Sequence, residues 1–325
     1  MEKTFVAELV ARQTVDSTFA VKRKSLSPFR NKPGEYLTLL LADRTGEVAG
    51  RVWDNVPEIA SAFEVGDVVR VRGRVDEYQG QLQLILQQVE KQSLDEVDPA
   101  DYVRRSDRDP EALLRRVEAA IAEVQDPHLH ALLQSFFGDP VFAARFASAA
   151  GAKSLHHSFV GGLLEHTVGV LEILLTVQQQ HPELDRDLLV TGTLLHDIGK
   201  TEELAVGTSI DYTDAGRLIG HTVLTDRLVR RRIAELPEFP PLTADLLMHM
   251  VLSHHGKREF GAPIEPMTPE ACALHYADNL DAHVQYFLQV VAEGEGSTSR
   301  WSDYLRLFDR HIYLGARLRP EPAES

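Results

Sequence analysis

Apolar and polar positions alternate through most of residues 4 to 92. The stretch "YLTLLLADRTGEVAGRVWD" contains two short apolar runs around Arg44-Thr45-Gly46, a turn signal. "DVVRVRGRVDEYQGQLQLILQQVE" contains two more, with a period of two on either side of Gln79-Gly80. The piece between Asp54 and Asp67 fits a short helix or an irregular connection. Five or so short strands with one interposed helix predict a small Greek-key barrel.

The pattern then changes twice. Residues 93–110, "SLDEVDPADYVRRSDRDP", are polar and charged and contain two prolines, which predicts a linker. From Pro110 the apolar spacing becomes helical and stays so to about residue 318. "PEALLRRVEAAIAEV" opens with proline in its first turn. "SFVGGLLEHTVGVLEILLTVQQQ", "DLLVTGTLLHDIGK", "GHTVLTDRLVRRRIAEL", "LTADLLMHMVLSHH" and "TPEACALHYADNLDAHVQYFLQVV" are further predicted helices. The expected fold class is therefore α+β and multidomain. It has a barrel over 1–92, a linker over 93–110, an all-α domain over 111–318 with leading helices at 111–150, and a disordered tail over 319–325.

The chemistry concentrates in the helical part. His166 lies four residues after Gly162 in an apolar helix, and His196-Asp197 closes another just before Gly199. His221 follows Gly220, His254 and His255 precede Gly256, and Asp278 sits inside "LHYADNLDAH". A lone histidine on an apolar face is usually a packed core residue. Several such groups at helix edges, each costly to bury unpaired, are better explained as partners of one another.

The order H…HD…H…HH…D closely resembles the HD phosphohydrolase superfamily, an all-helical, metal-dependent fold. That resemblance implies His166, His196, Asp197 and Asp278 as ligands of one ion. Asp197 would bridge to a second ion held by His221, His254 and His255. Imidazole and carboxylate ligands without thiolate suit Mn²⁺, with Fe²⁺ as second choice, better than a structural zinc. Two such ions, roughly 3.5–4 Å apart, activate water and neutralise the attacking and leaving oxygens of a phosphodiester. Asp197 and Lys200 are the expected catalytic pair. Lys200 either reaches a phosphate oxygen or caps its helix dipole. Lys153, His156 and His157 are candidate substrate contacts or ligand supports, His275 is a candidate support, and Asp281 either orients a ligand or is a solvated acid.

Charge sharpens the division. The chain carries a formal net charge of −15, yet residues 1–92 hold 13 basic and 13 acidic residues, so the whole excess lies downstream. The "DRTG" turn, Gly66-Asp67 and the strand pattern resemble the nucleic-acid-binding OB family. Its expected contacts here are Phe19, Lys22, Arg23, Lys24, Phe29, Arg51 and Trp53, with the basic cluster in the loop after the first strand. The barrel followed by "LHHSFVGGLLEHT", "LLHDIGK", "GRLIGHT", "LSHHG" and "ADNLDAH" resembles the YhaM family of bacterial 3′→5′ exoribonucleases. The resemblance implies Mn²⁺-dependent release of nucleoside 5′-monophosphates from single-stranded RNA, with some action on single-stranded DNA. Two other readings stand beside it: a phosphodiesterase of small nucleotides with a regulatory barrel, and a non-catalytic single-strand-binding module. Cys272 is the single cysteine, which fits a reducing cytoplasm, and no apolar run approaches the ~18–20 residues of a membrane span. A homo-oligomer is left open.

Overall fold

A computed structural model describes residues 3–29, 33–78, 80–153, 157–294 and 299–315. Contacts divide the chain into one unit of Met1–Asp107 with Leu204–Thr213, and a second of Arg108–Glu203 with Asp214–Ser325.

Alternation builds the first unit. Strands β1 (Thr14–Pro28), β2 (Glu35–Asp43), β3 (Gly46–Val52), β4 (Val68–Tyr78) and β5 (Gln81–Lys91) close into a barrel in the order β1-β2-β3-β5-β4. All pairings are antiparallel except β3 with β5. Every second side chain points inward, as a pleat requires. Val15, Phe19, Val21, Leu37, Leu39, Leu41, Val52, Val71 and Leu84 fill the interior. Helix α1 (Val56–Ser61) follows β3 and contributes Val56 to the same core, with Phe63 just beyond it.

Two barrel expectations need correcting. Phe19 is fully buried in the core, so its ring cannot reach a nucleic-acid base. Its parity with Val15 and Val21, both buried, is the reason. Lys22, Arg23 and Lys24 lie within β1 at a bulge between Val21 and Arg23, not in the loop that follows. The bulge shifts register there, and Lys24 turns to the barrel end, donating to the Phe63 carbonyl at 2.6 Å and pairing with Glu64 at 3.2 Å.

The segment expected as a linker packs instead. Tyr102 and Val103 are buried, and the Tyr102 hydroxyl donates to Thr18 Oγ1 at 2.6 Å. The Lys3 ammonium stands 3.5 Å above the Tyr102 ring, a cation–π contact. A hairpin of β6 (Leu204–Val206) and β7 (Ile210–Tyr212), unforeseen in the helical pattern, groups by contact with this unit.

The second unit opens with three helices, α2 (Pro110–Ala122), α3 (Pro127–Phe137) and α4 (Pro140–Ser148). Each starts with the same device: an aspartate cap followed by proline at the first helical position. Asp109, Asp126 and Asp139 accept from backbone N–H groups of the following turn. Around α5 (Gly162–Gln180) pack α2, α4, α6 (Arg186–Leu195) and α11 (Pro269–Glu293). The short helices α7 (Lys200–Glu203) and α8 (Asp214–Ile219), then α9 (His221–Glu235) and α10 (Pro241–Ser253), complete the unit. Helix ends at Glu293 rather than near 318, and residues 299–315 form an arch tied by Trp301–Tyr313 and Leu305–Arg310 bridges. The tail expected over 319–325 lies outside the described residues.

Phe19→Ala is expected to cost about 3–5 kcal/mol of barrel stability, the usual cavity penalty. Urea unfolding followed by circular dichroism measures it. Unchanged stability with weakened nucleic-acid binding would return Phe19 to the surface role that its burial denies.

Candidate metal centre and nucleic-acid interface

Two local devices aim imidazoles inward. His196 directly follows α6, and its Nδ1–H donates to the Thr193 carbonyl three residues back, at 2.7 Å. His254 directly follows α10 and donates to the Val251 carbonyl in the same way, at 2.7 Å. Each ring satisfies a helix-terminal carbonyl that has no intrahelical donor. With Nδ1 committed, Nε2 points away from the helix end. Carboxylates do the same for two further rings. His166 Nδ1 lies 2.7 Å from Asp281 Oδ2, and His221 Nδ1 lies 3.0 Å from Glu203 Oε1. Such partners fix the tautomer and orientation expected of a metal-binding imidazole.

The freed Nε2 atoms gather around Asp197, whose two oxygens face different histidines. Oδ2 lies 3.4 Å from His196 Nε2 and 3.7 Å from His166 Nε2. Oδ1 lies 3.4 Å from His221 Nε2 and 3.6 Å from His254 Nε2. Asp278 Oδ1 joins the first side, 3.1 Å from His166 Nε2, and His255 Nε2 joins the second, 3.2 Å from His221 Nε2. All seven residues expected to hold ions thus converge. Among the described residues, two of the groups close enough to hold an ion are His166–His196–Asp197 and His221–His254–His255.

Burial makes this arrangement expensive without a cation. Among the described residues, Asp197 Oδ1 and His254 Nε2 are buried and find no hydrogen-bond partner. Burial opposes the ionised form of Asp197, but Lys200 and then His196 outweigh it and hold the carboxyl well below its usual range. Asp278 is likewise lowered, against burial, by its bond to His166, and Glu203 by its bond to His221. Burial, reinforced by His221, pushes His255 down to about 4, and burial keeps His254 neutral as well. The neutral imidazoles of His254 and His255, together with the ionised carboxylates of Asp197 and Asp278, form a donor set suited to divalent metal.

Lys200 opens α7 instead of ending α6, and its Nζ lies 2.5 Å from Asp197 Oδ2. The dipole-capping alternative therefore falls away, and the ammonium belongs to the buried cluster. Gly199 permits this packing. A Cβ there would stand 2.2 Å from the His221 carbonyl and 2.6 Å from the Thr225 amide, so no other residue fits without displacing α9. The space beside Gly162 admits the His157 backbone carbonyl, 2.0 Å from where its Cβ would be, rather than giving room to His166.

The supporting candidates separate. Asp281 is buried and holds both His166 and His157, the latter at 3.0 Å, so it is no solvated acid. His275 donates to the His254 carbonyl at 2.8 Å. Lys153 is exposed, outside the buried cluster, and His156 lies outside the described residues. Sequence reasoning missed Glu203; its signal was an acid one turn beyond Lys200.

On the barrel, Trp53 is 40 % exposed. It joins Phe29 and Tyr36 in an aromatic cluster, with ring centroids 5.0 Å (Tyr36–Trp53) and 6.0 Å (Phe29–Trp53) apart. The Arg51 guanidinium stands 5.7 Å over Tyr36 and donates to Thr38 Oγ1. Tyr36 was not foreseen; it begins the strand that pairs with β1, close to Phe29. Lys22 and Arg23 are exposed.

A family model described as the HD domain matches residues 163–283, and one described as an OB-fold nucleic acid binding domain matches residues 20–91. Among solved structures, the second OB-fold domain of replication protein A from Methanococcus maripaludis is 19% identical, with a TM-score of 0.24, covering 28% of this chain and 94% of that one. The replication factor A related protein from Methanobacterium thermoautotrophicum is 21% identical with a TM-score of 0.25, covering 30% and 94%. Asparaginyl-tRNA synthetase from Pyrococcus horikoshii is 18% identical with a TM-score of 0.23, covering 43% and 35%. The barrel thus lies where the OB-fold model matches, and the helical unit carries the match to the HD domain. Among the described residues, no helix is long and apolar enough to cross a membrane.

Burial opposes a charge on His166, but hydrogen bonds to Asp278 and Asp281 raise its pKa to about 9. An ion taking its Nε2 must displace that proton. Mn²⁺ binding at pH 7.5 is expected to release about one proton from His166, fading as the pH passes 9. Calorimetry in buffers of different ionisation enthalpy reads the release, and none at pH 7.5 would remove His166 from the ligand set.

Proposed function

We propose that the chain is a metal-dependent 3′→5′ exonuclease that hydrolyses single-stranded RNA, and to a lesser degree single-stranded DNA, to nucleoside 5′-monophosphates in the cytoplasm. The observation that carries this reading is the division of Asp197. One carboxylate faces two histidine groups through separate oxygens, in a chain that also bears an OB-type barrel. The motif order resembling the YhaM family supports the 3′→5′ direction and the preference for RNA.

In this reading His166, His196, Asp197 and Asp278 would hold one ion, and Asp197, His221, His254 and His255 would hold the other. Mn²⁺ fits the mixed nitrogen and oxygen donors best. When bound, two such ions supply water activation and charge neutralisation at a phosphodiester. The protein's own groups prepare that chemistry. Asp281, Glu203 and the Thr193 and Val251 carbonyls hold the rings of His166, His221, His196 and His254 with Nε2 forward. Lys200 offsets the charge of Asp197, and in this reading its ammonium meets a non-bridging phosphate oxygen as substrate arrives. On the barrel, Trp53, Tyr36 and Phe29 offer stacking faces, while Lys22, Arg23 and Arg51 offer cations to the backbone.

End-labelled single-stranded RNA with Mn²⁺ is expected to shorten stepwise from its 3′ end, and chelator should stop it. Asp197→Ala should abolish the ladder while gel-shift affinity for the strand stays within about twofold, because the barrel is intact. Turnover of a small nucleotide with RNA left whole would overturn the assignment. Trp53→Ala should weaken strand binding by about 1–3 kcal/mol, the usual worth of one stacked base. Fluorescence anisotropy measures that loss, and unchanged affinity would move the interface elsewhere on the barrel.

A further inference from the structure

Helix α11 outruns the core it serves. Its last buried residue is Asp281, yet the helix continues to Glu293. The intervening run "AHVQYFLQVVA", residues 282–292, contains no Lys, Arg, Asp or Glu, in a chain where charged residues make up 26%. No side chain in that run is fully buried, although six of the eleven are Val, Leu, Phe or Tyr. A helix apolar on several sides is ordinarily covered on several sides.

Part of that apolar surface is exposed. Tyr276, Leu280, Val284 and Leu288 recur every fourth residue and form an exposed ridge along α11. Val284 and Leu288 run on into an open cavity of about 380 Å³, lined also by Phe287, Val291, Phe308 and Arg310. The arch of 299–315 adds Trp301, Tyr304, Leu307 and Tyr313, all exposed. Covering these side chains would remove on the order of 700 Å² from water, with aromatic rings supplying most of it. That exceeds the roughly 300–600 Å² of the largest apolar patch on a typical monomer. It approaches the roughly 800 Å² that each partner contributes to a stable interface.

We propose that this face pairs with the same face of a second copy of the chain. The C-terminal halves of two α11 helices cross antiparallel about a two-fold axis near Val284–Leu288. The charge distribution argues for a like partner. Each copy carries a net charge of −15, all of it from residues 93–325, and two copies that meet through the uncharged run of 282–292 bring no like charges of that run together. Among the described residues that line the cavity, Arg310 alone carries a fixed charge, beside His283, which gives a partner recognised by charge little to hold. A ridge repeating every four residues fits the grooves of an identical ridge at a crossing of about −50°, a contact that closes on itself in a dimer. The pairing is independent of the metal centre, and neither Val284 nor Leu288 belongs to it.

Light scattering coupled to gel filtration of the full chain decides the matter. The expected mass is twice 36.3 kDa at micromolar concentration. Leu288→Glu, which would place an unpaired carboxylate in the contact, should return it to 36.3 kDa with unchanged helicity. A wild-type monomer at every concentration overturns the proposal, as does a dimer that survives Leu288→Glu. If that variant fails to fold, Val284→Cys in a Cys272→Ser background provides the second test. A two-fold axis near residue 284 predicts efficient linkage of two copies by a short bis-maleimide, and its failure overturns the proposal equally.

Discussion

One buried carboxylate organises the helical unit. Asp197 is nearly inaccessible, yet it stays ionised because Lys200 and His196 lie against it. Isolated in an apolar interior, such a charge would cost several kcal/mol. The helices around it are arranged to offset that cost: α5 brings His166, the ends of α6 and α10 bring His196 and His254, the start of α9 brings His221, and α11 brings Asp278. Five segments distant in sequence are bound to a common point, so the integrity of this fold and the readiness of its site are physically the same property.

The division of labour within four of the imidazoles is equally important. In His166, His196, His221 and His254 one ring nitrogen is spent on a carbonyl or carboxylate of the scaffold, and the other faces the centre. Two of these four scaffold partners are local: a carbonyl three residues back for His196 and for His254. Local partners are in place once the helix end forms, before distant segments meet. Those two donors are therefore oriented by secondary structure, whereas His166 and His221 take their orientation from the distant Asp281 and Glu203.

How much of this could be read from the sequence depended on whether the signal was local. The strand and turn pattern of the barrel was legible because alternation is a property of neighbours, and much of the histidine order was legible because His196, His221, His254 and His255 stand at helix boundaries marked by glycine. Phe19 was misread because the basic residues beside it suggested a surface, whereas its parity with Val15 and Val21 pointed inward. Tyr102 was misread because a charged, proline-bearing segment can still carry one anchoring ring. Glu203 and Tyr36 act through partners 18 and 17 residues away, His221 and Trp53, and no periodicity reports such pairings. The end of α11 was obscured for the opposite reason: the helical spacing is real, but it stops at Glu293, and Val284 and Leu288 in its last turns stay exposed.

Gly199 gives the centre its scale. With the His221 carbonyl 2.2 Å from where a Cβ would sit, the turn bearing Asp197 rests backbone to backbone on the first turn of α9. The separation between the two histidine groups is then set by main-chain contact, which cannot stretch, rather than by flexible side chains. A single methyl group at this position would act as a shim, widening one half of the centre from the other while leaving every ligand in the chain.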